Sequence, residues 1–143
     1  MDFNPCNLIR RRSKKEFKKQ VEYVKRLARN EFKGIRFPIL VVNDDEPYIC
    51  ATSILEYVLD VDIGMWGFKP GSKVIDSSGA VYEHFEQNQE GYFIPGIPAG
   101  IVSATYVLGI LVRFAEMVRL DLSIEDGQTI QEMLRAFHYA ESK

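Results

Sequence analysis

The chain has 143 residues, 46% of them apolar and 27% charged, with a formal net charge of −2. That length accommodates one domain with its own core and is short for two, and the apolar content excludes a chain disordered throughout. Two cysteines, Cys6 and Cys50, are too few for a disulfide framework, and the opening Met-Asp-Phe-Asn-Pro lacks the apolar stretch of a signal peptide, so a cytoplasmic protein with free thiols is expected.

The small net charge conceals an asymmetry. Residues 1–36 hold 12 Lys/Arg and 4 Asp/Glu, whereas residues 37–143 hold 6 and 16, so a basic segment of +8 precedes an acidic body of −10. A basic N-terminal segment fits either a nucleic-acid arm or a solvated helix face partly neutralised by the body. Disorder is expected only within residues 1–12.

In chain order, Ser13 with Glu16 three residues on has the capping-box spacing and predicts a helix start. Phe17, Val21, Val24, Leu27, Ala28 and Phe32 then recur at helical spacing, and Gly34 supplies the stop. Arg10, Arg11, Arg12, Lys14, Lys15, Lys18 and Lys19 are the candidate phosphate contacts if this basic helix meets nucleic acid; the three arginines precede the cap, where the helix dipole disfavours cations.

Pro38–Asn43 and Tyr48–Ala51 predict a hairpin across the acidic turn Asp44-Asp45-Glu46-Pro47. Ser53 and Glu56 repeat the capping-box spacing for a short helix carrying Leu55, Val58 and Leu59 inward and ending before Gly64, with Trp66 beyond it. Lys73–Asp76, the turn Asp76-Ser-Ser-Gly79 and a returning strand from Val81 to about Gln87 predict a second hairpin, because Gly79 supplies the positive φ of a tight turn.

Tyr92 to Val112 carries no charged residue, and Ile101 to Leu120 is expected to form a central buried helix. Pro95 and Pro98 interrupt the uncharged run, leaving fewer than the roughly 20 helical residues a membrane crossing needs. Past Arg113 the pattern places Phe114, Met117 and Val118 inward. Ser123, with Asp126 three residues later, is expected to cap a last helix whose buried stripe is Ile130, Met133, Leu134 and Phe137. These elements predict an α+β domain over residues 1–143: a small, mainly antiparallel sheet of two hairpins packed with a central helix and two or three others.

No phosphate-cradling glycine loop, nucleophile elbow, Cys-x-x-Cys or His-Glu-x-x-His motif occurs, so no catalytic residue, metal ligand or cofactor is expected. His84, flanked by Glu83 and Glu86, is the one acid/base candidate, and a surface histidine is its plainer reading; His138 reads as surface or near a helix cap. Cys50 reads as a small buried thiol. Asp44, Asp45 and Glu46 lack the ligand spacing of a calcium loop. With Asp60 and Asp62 they are instead the candidate contacts for a protein partner.

The hairpin Val74-Ile-Asp-Ser-Ser-Gly-Ala-Val-Tyr82, set in a small acidic-bodied α+β domain, resembles the immunity proteins that accompany bacterial contact-dependent or polymorphic toxins. The likeness is one of organisation and covers nine residues of the 143. It implies a non-catalytic protein that binds one toxin domain tightly and masks its active site; the acidic body suits a basic toxin domain, and nucleic-acid binding through the basic helix is the alternative reading of the charge.

Overall fold

The computed structural model describes residues 14–43, 46–59 and 71–142. Their elements are helix α1 (Lys14–Arg29), strands β1 (Ile39–Asn43) and β2 (Glu46–Ala51), helix α2 (Ile54–Leu59), strands β3 (Lys73–Ile75), β4 (Ala80–Tyr82), β5 (Phe85–Gln87), β6 (Phe93–Pro95) and β7 (Gly100–Ile101), and helices α3 (Ala104–Val118) and α4 (Ile130–Glu141). Five strands form one sheet in the order β2-β1-β3-β4-β7, antiparallel at every pairing, and β5 with β6 forms a separate antiparallel pair. The fold is α+β, as expected from the sequence.

The central strands are apolar on both faces because both faces of the sheet are covered. Leu40, Val42, Cys50, Ile75 and Val81 point to one side, where α3 and α4 supply Val107, Ile110, Leu111, Met133, Leu134 and Phe137. Ile39, Val41, Ala51, Val74 and Tyr82 point to the other, against Leu27, Phe32, Tyr57 and Tyr92. At about 1.5–3 kcal/mol for each large side chain fully buried, these two clusters are the main source of stability.

The first hairpin forms between the predicted strands, but β2 starts earlier, at Glu46, with a bulge between Val41 and Val42 and with Pro47 opposite Val42. A proline there blunts the outer edge of the sheet, since it offers no N–H to a further strand. The second hairpin turns at Asp76–Gly79, and Gly79 has a φ of 89°. Asp76, fully buried, organises this turn by accepting hydrogen bonds from the Arg36, Ser78 and Ala80 amides at 3.2, 2.9 and 3.0 Å and from the Ser78 hydroxyl at 2.6 Å.

Several expectations need correction. The strand predicted from Val81 to Gln87 is two: β4 ends at Tyr82, and β5 pairs with β6 in a third hairpin inserted between β4 and β7. That division explains the lack of a clean alternation over residues 81–87, because the two halves face different surroundings.

The helix expected from Ile101 is capped at Ser103, whose side chain accepts from the Tyr106 amide, and Ile101 itself is an edge-strand residue, 83% exposed. Nor is α3 enclosed on all sides. Its Val107, Ile110, Leu111 and Ala115 face the sheet and α4, while Tyr106, Met117 and Val118 are exposed. One sheet face and one neighbouring helix cover only part of a helix, so the absence of charge did not mean enclosure.

The last helix is capped by Thr129, not Ser123: Thr129 Oγ1 accepts from the Glu132 amide and Glu132 accepts from the Thr129 amide. Asp126 is one methylene shorter than Glu132 and serves instead in a turn that ends at Gly127 with φ 92°. The predicted stripe of Ile130, Met133, Leu134 and Phe137 is buried.

In α1 the cap Ser13 lies outside the described residues, and Phe17 is 53% exposed, because residues 14–19 are all exposed and only Leu27 of this helix is fully buried. In α2 Tyr57, which the apolar spacing did not pick out, is fully buried and Leu55 is half-buried, while the side chains of Val58 and Leu59 lie outside the described residues. Ser53 accepts from the Glu56 amide, and Glu56 reaches back to the Thr52 amide at 3.0 Å. Residues 1–12 and Trp66 lie outside the described residues, and no helix among those described is long and apolar enough to cross a membrane.

Candidate functional site

The β5–β6 hairpin stands off the main sheet, and its position is set by aromatic side chains beneath it. Tyr92 lies 5.9 Å from Tyr23 of α1 and 6.4 Å from Tyr57 of α2, ring centre to ring centre. The Tyr57 hydroxyl donates to the Phe93 carbonyl, and burial pushes that phenol far above its ordinary pKa. Asn88 at the hairpin turn donates to the Tyr23 hydroxyl at 2.7 Å and accepts from the Glu90 and Tyr92 amides at 3.1 and 2.9 Å. Arg26 of α1 completes the attachment with a 2.8 Å ion pair to Glu90 and stacks on Tyr23 at 4.9 Å.

Between this hairpin and the entry to β3 lies a cleft of about 810 Å³. Phe85, Phe93 and Ile94 form its apolar wall; Glu31, Ser72, Glu83, His84 and Glu86 form its polar one. Three carboxylates face it and no lysine or arginine is among its described lining residues. Lys73 lies beside it, 3.7 Å from Glu83, and offsets part of one charge. The arrangement suits a cationic group brought by a partner, since exposed carboxylates on low-dielectric walls concentrate negative potential in the space between them.

His84 is exposed, and among the described residues its ring has no hydrogen bond or ion pair, so the acid/base pair considered with Glu83 or Glu86 is not assembled although all three line one cleft. His138, expected at the surface or near a helix cap, lies in the last turn of α4, where its carbonyl accepts from the C-cap Ser142 amide; it is half-buried and 3.2 Å from Glu56 Oε2, which ties α4 to α2. Cys50 is buried, its thiol 3.5 Å from the Leu134 carbonyl, and burial together with the nearby carboxylates of Glu141 and Glu56 raises its pKa well beyond the ordinary thiol range. Such a thiol is inert at neutral pH. No group of three or more His, Cys, Asp or Glu among the described residues is disposed to hold a metal ion.

Of the expected partner contacts, Asp44, Asp45, Asp60 and Asp62 lie outside the described residues, and Glu46 is described only as the β2 residue opposite Asn43. Asn43, the residue before Asp44, accepts from the hydroxyl of Ser72, which lines the cleft. Glu31 was not a candidate in the sequence, where it follows a basic helix as one unremarkable charge; only the fold sets it opposite Glu83 and Glu86. Arg10, Arg11 and Arg12 also lie outside the described residues. Lys14, Lys15, Lys18 and Lys19 are exposed on α1.

Comparison of the chain with protein-family models, with curated proteins and with solved structures returned no match.

Proposed function

We propose that this protein acts by binding another protein, without catalysing a reaction, as a toxin-neutralising immunity factor does. The observation that carries the reading is the cleft beneath the β5–β6 hairpin, where Glu31, Glu83 and Glu86 face one opening. Toxin nucleases tend to be basic because they grip phosphates, and an acidic inhibitor both steers its approach to them and occupies the groove. Asp44, Asp45, Glu46, Asp60 and Asp62, the contacts expected from the sequence, are further acidic contacts in this proposal.

The test is co-purification with the product of the adjacent gene, followed by association rates against salt for wild type, Glu31→Gln/Glu83→Gln/Glu86→Gln and Asp44→Ala/Asp45→Ala/Glu46→Ala. Steering predicts a wild-type rate that falls steeply with salt and a lower, flatter rate in either variant. A partner whose association is unchanged by both variants would place the interface elsewhere. Failure of the purified adjacent product to bind would remove the immunity reading.

A further inference from the structure

We infer that the solvent face of α1 is a second binding site, for the phosphodiester backbone of nucleic acid. Lys15, Lys18, Lys19, Arg26 and Arg29 line a single groove of about 590 Å³ along this helix, with Tyr23 and Glu22 between them. Lys15 to Arg29 spans fourteen helical steps, about 21 Å.

The row is largely uncompensated. Arg26 is engaged by Glu90 at 2.8 Å, and Glu22 is drawn to Lys25 at 3.7 Å, but Lys15, Lys18, Lys19 and Arg29 have no ion pair among the described residues. Lys15 repels Lys18 and Lys19, three and four residues on, and like charges at that spacing work against a helix. Packing does not call for them: α1 buries Leu27 and rests Val24 on the core through its opposite face, with Tyr23 at the boundary between the two. A row of like charges that costs the helix something and contributes nothing to its packing is accounted for by an anionic ligand.

The shape of the row selects among anions. It is linear and lies along one helix, as is the charge on a nucleic-acid backbone. Insertion into lipid needs a free apolar face, whereas Tyr23, Val24 and Leu27 of α1 are turned onto the core and leave Phe17 as its one large exposed apolar side chain. Tyr23, under the Arg26 guanidinium at 4.9 Å and bonded to Asn88, gives the groove a rigid floor.

Fluorescence anisotropy with labelled single-stranded RNA and labelled duplex DNA tests this on the full chain. Four cations meeting phosphates predict that affinity falls between 50 and 200 mM salt by about 50-fold for the single strand and about 150-fold for the duplex. In Lys15→Ala/Lys18→Ala/Lys19→Ala, which changes exposed side chains only and is expected to melt like wild type, binding weakens and the remaining loss over that range is about 3-fold. Arg135→Ala, on α4 across the sheet, leaves both affinity and slope unchanged. Binding of both polymers, or of either alone, supports a backbone site and says which sugar it accepts. The inference is overturned by no binding at low salt, by a triple variant with the wild-type slope, or by binding to phosphatidylserine vesicles and to neither polymer. It stands apart from the cleft reading, because the Glu31→Gln/Glu83→Gln/Glu86→Gln variant retains α1 intact.

Discussion

Asp76 is a single carboxylate that closes a turn, anchors the segment before β1 through the Arg36 amide and sits fully buried beneath both. Replacing it by alanine leaves several part-buried donors without their acceptor, and Asp76→Ala is expected to cost about 2 kcal/mol, read from the denaturant midpoint. Asn at this position retains part of the network and should cost less. At the start of α4, Thr129 and Glu132 cap each other; Thr129→Ala is expected to cost about 1 kcal/mol, a Tm drop of roughly 4 °C.

The cap also sets a pH dependence. The Thr129 amide, and then its hydroxyl, hold the Glu132 carboxyl below the ordinary glutamate range. A carboxyl whose pKa is lower folded than unfolded contributes stability above the unfolded value, and that contribution is lost as pH falls through the folded one. Wild type should therefore melt above Glu132→Ala at neutral pH, with the gap closing in acid. A gap that stays constant down to about pH 3 would contradict this.

Helix α3 shows how an element's environment differs from its composition. Leu111 is fully buried against the sheet and α4, whereas Met117, six residues on, is 59% exposed. Leu111→Lys places an unpaired ion in the core and is expected to cost several kcal/mol, enough to unfold a domain of ordinary stability; Met117→Lys should stay within about 0.5 kcal/mol. Equal losses at the two positions in thermal melts would mean that the helix is enclosed after all. The β5–β6 hairpin illustrates the converse, a charged and polar segment held by others. Its Glu86 and Gln87 are exposed, and its attachment runs through Tyr57, Tyr92 and Asn88.

Across the described residues these attachments divide the structure into a five-stranded sheet whose central strands are buried on both faces and a two-stranded hairpin standing beside it. Amides of β5 and β6 should exchange with solvent faster than those of β1 and β3, by local opening that leaves the main sheet intact. Exchange at one common rate would mean the hairpin opens only with the sheet. The proposed sites follow the same division. The acidic cleft is shaped by the hairpin, and the basic row lies on α1, which carries the hairpin on Tyr23 and Arg26.

Much of the architecture was legible in the chain because it rests on local chemistry: the Asp76–Gly79 turn, the β1–β2 hairpin, the buried stripe of α4 and the basic face of α1 are each written into neighbouring residues. The correct cap of α4 was written there as well, in Thr129 and Glu132, but Ser123 and Asp126 offered a similar spacing and only reach separated them. What one-dimensional pattern left open depended on what lies across space. Whether α3 is covered on one side or all round depends on how many elements pack on it, and the split between β4 and β5 depends on which partner strand each meets. Tyr57 is buried because a hairpin some 36 residues away presents the Phe93 carbonyl to its hydroxyl. The cleft was beyond reach for the same reason: Glu31, Ser72 and Glu86 come from a turn after α1, the entry to β3 and an inserted hairpin, and nothing nearer than the tertiary fold places them around one opening.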